Sequence, residues 1–305
     1  MIHTICLIAF VLVVAVRAHS SWRKPAWWAT AFGAVSIATY GVFLATPAVM
    51  DGFLGSRNLL TLVRDSSAVA AMWFFHNAVA AQQHRPDRKL PLWALLLAWA
   101  AFAVPFLLIP HPGLTSADFV LDRLRYLPTW LFSTIYISIM GVLAASVLAL
   151  LGFERSIMTR LYKLGIFLML VGSGLEAAYL FVAHFVPGTG SFARDFYNVA
   201  EGPFFGGILI GVLGIAWVLS VRTFWKYLAR WTLRLDARAH DADYRERTLL
   251  MARVNGWSNR QLAMDSAVNI RDRLKVGAQR LSKTDDLVFT GIERMLSSQL
   301  QEANR

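Results

Sequence analysis

The chain has 305 residues, of which 56% are hydrophobic and only 16% charged, with 20 Phe, 11 Trp and a formal net charge of +11. Soluble domains carry about 45–50% apolar and about 25% charged residues, and the excess here sits in long uncharged runs. That combination excludes a soluble enzyme, a disordered chain and a fibrous protein.

A hydrocarbon core about 30 Å thick is crossed by roughly 20 apolar residues of helix. Seven runs fit that description: 2–16, 26–46, 59–81, 91–110, 127–151, 164–186 and 203–221. Across them only Arg64, Asp65 and Glu176 are formally charged. The runs lack the alternation of a membrane barrel, and lipid offers no partner to unpaired backbone, so helices follow. The predicted fold class is all-α: a polytopic membrane helical bundle of seven transmembrane helices, N-terminus outside, with a short cytoplasmic helical tail. Its divisions are 1–221 for the transmembrane domain, 222–247 for a basic juxtamembrane helix and linker, and 248–305 for the tail.

In chain order, the first run is short, and Val16-Arg17-Ala18 has the outline of a signal-peptidase site. Met1-Ile2-His3-Thr4 carries no positive charge, whereas Arg17, Arg23 and Lys24 follow the run. A retained, outside-first helix is expected, with a cleaved signal as the alternative. Loops 17–25, 82–90 and 152–163 hold Arg17, Arg23, Lys24, Arg85, Arg88, Lys89, Arg155, Arg160 and Lys163; the opposite loops hold Arg57, Arg123, Arg125 and Arg194. By the inside-positive bias this places the tail in the cytoplasm, facing the anionic inner leaflet of the cell membrane. Trp27, Trp28, Trp93, Trp130 and Trp225 fall near run ends, as in an aromatic belt. Pro105 should kink the fourth run. Ser133, Thr134, Tyr136 and Ser138 give the fifth some hydrogen-bonding capacity, and Gly207 and Gly211 allow close helix approach in the seventh.

A charge at membrane depth costs about 2.5–3.5 kcal/mol on insertion scales and asks for a reason. Glu176 lies near the middle of the sixth run, too deep to reach water by stretching. Arg64 and Asp65 are adjacent on the third, so they point in different directions on a helix. Asp65, Val69, Met72 and His76 share a stripe, because eleven residues at about 100° each return to within about 20° of the same face. That face is expected to look into the bundle, with Arg64 paired to Glu176 or to Glu201 at the mouth of the seventh run. If the third membrane span begins at Ser66 instead, Arg64 and Asp65 are interfacial, in contact with headgroups. The intramembrane polar path thus comprises Arg64, Asp65, His76, Glu176 and Glu201.

Several chemistries lack their residues. No G-x-x-x-x-G-K-[ST] or H-E-x-x-H sequence occurs, and Cys6 is the single cysteine. His76 and His184 sit at different depths, which disfavours haem ligation. Neither catalysis, a cofactor nor a metal is expected.

Beyond the seventh run, Arg222, Lys226, Arg230, Arg234 and Arg238 recur every four residues, with Trp225, Leu228, Trp231 and Leu235 among them. They suggest an amphipathic stripe on anionic lipid, or an ordinary stop-transfer flank. Residues 222–305 hold 16 basic and 10 acidic residues, so the net charge requires no nucleic acid. Ala263, Ala267, Ile270, Leu274, Gly277 and Leu281 mark one face of a tail helix, and Ser282 with Asp285 caps another. Residues 256–263 faintly echo a DNA-binding helix-turn-helix, without a turn and recognition helix behind them. The tail suits packing on a protein partner or on a second copy of the chain through 248–305.

Seven outside-first spans followed by a tail containing Val268-Asn269-Ile270-Arg271-Asp272-Arg273-Leu274 resemble a family of actinobacterial integral membrane proteins. Members are commonly labelled transporters, without an assigned substrate, and end in a helical domain bearing a V-x-I-R-D-x-L-like segment. Met264, Asp265 and Ser266 stand where that family carries a tyrosine and paired arginines. The resemblance implies a transporter-like protein. The alternative is a membrane sensor or scaffold relaying an envelope signal through the tail.

Overall fold

The computed structural model describes residues 7–8, 10–15, 22–41, 46–110, 112–116, 119–152, 157–186, 190–237, 243–254, 257–276, 281–282, 285–286 and 288–292. Among the described residues all regular structure is helical. The helices are α1 (Pro25–Ala38), α2 (Pro47–Phe53), α3 (Leu59–Gln82), α4 (Leu92–Leu107), α5 (Phe119–Arg123), α6 (Leu127–Leu150), α7 (Ile157–Phe185), α8 (Gly190–Ala237), α9 (Tyr244–Val254) and α10 (Asn259–Val276). Residues 10–15 form a further helical stretch, to which Trp27 Nε1 donates a hydrogen bond at the Val14 carbonyl (3.2 Å). Four stretches of helix are long and apolar enough to cross a membrane among the described residues: Pro86–Leu107, Leu127–Leu150, Thr159–Phe185 and Asp195–Trp217.

The continuous helix expected over 26–46 is corrected. α1 stops at Ala38, where the Thr39 hydroxyl donates to the Ser36 carbonyl (2.6 Å) and Gly41 takes φ +91°. Helix restarts at Pro47, which needs no amide at its first position. Thr46 precedes it as N-cap, accepting from Val49 N (3.4 Å). α6 matches its predicted run to within a residue, α7 begins seven residues earlier than expected, and α8 extends its run at both ends to 48 residues. Pro105 lies in the last turn of α4, so it accompanies the helix end rather than a mid-span kink.

α3 begins at Leu59, so Arg64 and Asp65 lie in its second turn. Its start is set by Asp51, fully buried, whose carboxylate accepts from Asn58 N (2.9 Å), Leu60 N (3.2 Å) and Thr115 N (3.3 Å). One carboxylate thereby caps the helix and pins the loop before α5. At the far end, Asn77 grips Leu90 by both backbone groups, accepting from its N (2.8 Å) and donating to its carbonyl (3.1 Å). This clamp turns the chain back into α4. α3 packs against α1, α4 and α6, and α6 against α7. α3, which carries more polar residues, is not in the apolar set above; Asp65, Ser67, His76 and Asn77 are buried on it. Phe102, Phe132, Ile137, Val147 and Leu180 fill the surrounding core.

The chain divides into two compact units, residues 1–216 and 217–305, with the boundary inside α8. The second unit has its own core of Leu228, Leu233, Leu235, Ala263, Ile270 and Phe289. The stretch 222–247, read from sequence as a separate juxtamembrane segment, supplies one wall of that core. Asp236 is fully buried there and takes an ion pair from Arg273 (2.8 Å) and a hydrogen bond from the Tyr244 hydroxyl (2.8 Å). Ser258 and Gln261 cap α10 reciprocally, the Ser258 amide donating to Gln261 Oε1 (2.8 Å) and the Gln261 amide to Ser258 Oγ (3.2 Å). This capping box accounts for the helix-turn-helix echo at 256–263, and α10 then runs unbroken to Val276. The cap predicted at Ser282 and Asp285 is present (3.1 Å).

Candidate functional site

The stripe predicted on α3 faces inward: Asp65, Val69, Met72 and His76 are all buried. Its charges are arranged differently from expectation. Arg64 Nε contacts Asp65 Oδ1 at 2.8 Å, so the adjacent residue, rather than Glu176 or Glu201, is its ion-pair partner. The directions of adjacent side chains diverge at Cβ, but the long arginine stem bends back and closes the pair. Asp65 is 4% exposed and Arg64 21%. The guanidinium also lies over the Tyr40 ring, 5.1 Å from its centroid, an arrangement that stabilises a desolvated cation.

Glu176 and Glu201 are brought together by the crossing of α7 and α8. A Cβ at Gly172 would lie 2.7 Å from Phe204 N, and one at Gly165 would lie 2.9 Å from the Gly207 carbonyl. Residue numbers rise on one helix as they fall on the other, so the pair is antiparallel. One turn beyond Gly172 comes Glu176, and three residues before Phe204 comes Glu201. The charges close enough to act on Glu176 are those of Asp65, Glu201 and Arg64. Of the small residues noted in α8, Gly207 sits at the crossing, whereas Gly211 has open space where a Cβ would stand.

Tyrosines close the group. Tyr136 on α6 lies in the field of Asp65, Arg64 and Glu176, and the Tyr197 hydroxyl faces the Glu201 carboxylate. Tyr40 packs edge-on against Phe205 (5.7 Å), and Tyr179 meets Tyr197 at a tilt (5.7 Å). The structure therefore gathers Arg64, Asp65, Glu176 and Glu201. His76 stays apart, about 16 Å along α3 from Asp65 at 1.5 Å per residue. It is buried, and among the described residues its Nδ1 has no hydrogen-bond partner. His184 is occupied structurally, its Nδ1 meeting the Leu124 carbonyl (2.7 Å) and its ring stacking on Trp130 (4.9 Å).

In the basic stripe, Lys226, Arg230 and Arg234 are exposed on α8. The side chain of Arg222, and Arg238 as a whole, lie outside the described residues. The apolar residues between them do not form the lipid-facing side that the sequence suggested: Leu228 and Leu235 are buried against the tail.

Sequence reasoning missed Asp51, Tyr40, Tyr136 and Tyr197 as members of polar networks. Asp51 in particular follows the Thr46-Pro47 helix start and precedes Asn58-Leu59, a pattern in which a loop acid can cap the next helix. Among the described residues no group of His, Cys, Asp and Glu is arranged to hold a metal ion. Comparison with family models, curated proteins and solved structures finds no match to this chain.

Proposed function

We propose that the chain is a seven-span, transporter-like protein of the cell membrane, N-terminus outside and tail cytoplasmic, akin to the actinobacterial family it resembles. Arg64, Asp65, Glu176 and Glu201 form its polar path. The observation carrying this reading is the charge count: one guanidinium, paired with Asp65 of α3, stands in a group that also holds Glu176 of α7 and Glu201 of α8. Asp65 is buried and Glu176 and Glu201 are half-buried, and an excess of carboxyl groups so withdrawn from water is costly unless something balances it. Protons or a cationic solute crossing the membrane would do so. The apolar helices supply four crossings. α3, inward-facing, adds a fifth, and the runs 2–16 and 26–46 complete the seven.

The test is flux in reconstituted vesicles under a pH or cation gradient. Wild type should conduct protons or a cation, and Glu176→Gln should lose most of that flux. Wild-type vesicles that hold every imposed gradient as tightly as protein-free ones would refute the reading. The sensor alternative rests on the tail having its own core and buried Asp236–Arg273 pair. It would gain if deleting the tail abolished a cellular response while flux persisted.

A further inference from the structure

The turn-by-turn exposure of α8 beyond Trp217 divides the helix into two sides. Leu228, Ala229, Thr232, Leu233, Leu235 and Asp236 are buried in the core of the second unit. Lys226, Arg230 and Arg234 are exposed, together with Phe224 (48%) and Tyr227 (65%). At about 100° per residue these five fall on one arc of about 160°, so the cations and the two rings share a face. No carboxylate lies within ion-pair distance of the three cations among the described residues.

We infer that this basic and aromatic face of α8 is a binding surface for the phosphate headgroups of anionic phospholipid. The leucines of this helix, Leu228, Leu233 and Leu235, are taken up by the tail core and are not offered to a protein groove. What remains outside is a set of long cationic side chains that reach phosphate, flanked by rings of the kind that settle at headgroup level. Chain length keeps the face near the bilayer. Lys226 follows Trp217, the last residue of a membrane-crossing stretch, by nine residues, which cannot carry it beyond about 30 Å at full extension. The inference rests on the proposal that the tail is cytoplasmic, where the anionic leaflet lies.

The test uses the full chain in nanodiscs of phosphatidylcholine doped with phosphatidylglycerol, with retained lipid counted by native mass spectrometry. Each cation near an anionic surface contributes roughly a fivefold preference, so Lys226→Gln/Arg230→Gln/Arg234→Gln should lose on the order of a hundredfold in anionic over zwitterionic retention. Phe224→Ala/Tyr227→Ala should weaken retention less and leave its salt dependence intact. A C-terminal reporter, read first in each variant, separates the two claims. A tail outside the cell defeats the topology. A cytoplasmic tail with equal lipid retention in wild type and the triple variant defeats the face alone, as does wild type that retains nucleic acid rather than lipid through these residues.

Discussion

The crossing of α7 and α8 makes a sharp prediction, because glycines of the same two helices divide into those with and without room for a methyl group. At Gly172 a Cβ would sit 2.7 Å from Phe204 N and 2.8 Å from Phe204 Cβ. At Gly207 it would meet Met169 Cγ at 2.7 Å, along with the Gly165 backbone. Ordinary contact begins near 3.4 Å, so either Gly172→Ala or Gly207→Ala must push the helices apart by several tenths of an ångström. Overpacking of this kind costs about 1–3 kcal/mol. Alanine returns up to about 1 kcal/mol through its higher helix propensity. Gly174 and Gly211 have nothing within 4 Å of the place a methyl group would take, so there only the favourable contribution remains. Thermal unfolding of the purified full chain in one detergent, followed by loss of the monodisperse peak, ranks the four variants. Gly172→Ala and Gly207→Ala should melt below wild type, and Gly174→Ala and Gly211→Ala at or above it. Four variants with the same midpoint would refute the crossing, and with it the geometry that joins Glu176 to Glu201.

Three further outcomes are expected. Asp65→Asn should destabilise the protein by about 3–5 kcal/mol by leaving the Arg64 charge without its partner; Arg64→Met/Asp65→Leu should recover much of that loss, as measured in the same melts. Asp51→Ala strands three backbone amides at the start of α3 and before α5, costing at least about 3 kcal/mol and speeding proteolysis in the loop between Leu54 and Asn58. The Tyr244 hydroxyl is held above its ordinary value, first by burial and then by its hydrogen bond to Asp236. The folded state therefore retains the proton more tightly than the unfolded chain, so this contribution is fully present below the ordinary tyrosine value near 10 and is lost as pH rises past it. Tyr244→Phe should lose about 1 kcal/mol at neutral pH and melt with a shallower decline in alkaline buffer.

What could be read in the sequence depended on whether the signal was local. Uncharged length alone located α4, α6 and the body of α7 and α8. Helical phase placed Asp65 and His76 inward and found the buried stripe of Ala263, Ala267 and Ile270. Pairing was out of reach, since the Arg64 to Asp65 contact depends on a side-chain bend and on Tyr40 standing over the guanidinium. The break at Thr39–Gly41 was hidden because apolar residues continue on both sides of it, and only Thr46-Pro47 announced the restart. The fate of Leu228 and Leu235 was also concealed: their spacing is the same whether lipid or α10 receives them.

The dual use of α8 changes how the tail can be removed. Cutting the chain at residue 248 would leave Leu228, Leu233 and Leu235 stripped of cover and Asp236 without Arg273, a sticky stump whose aggregation would mimic loss of signalling. Ending it just after Trp217 discards both halves of that sandwich together and gives the cleaner instrument.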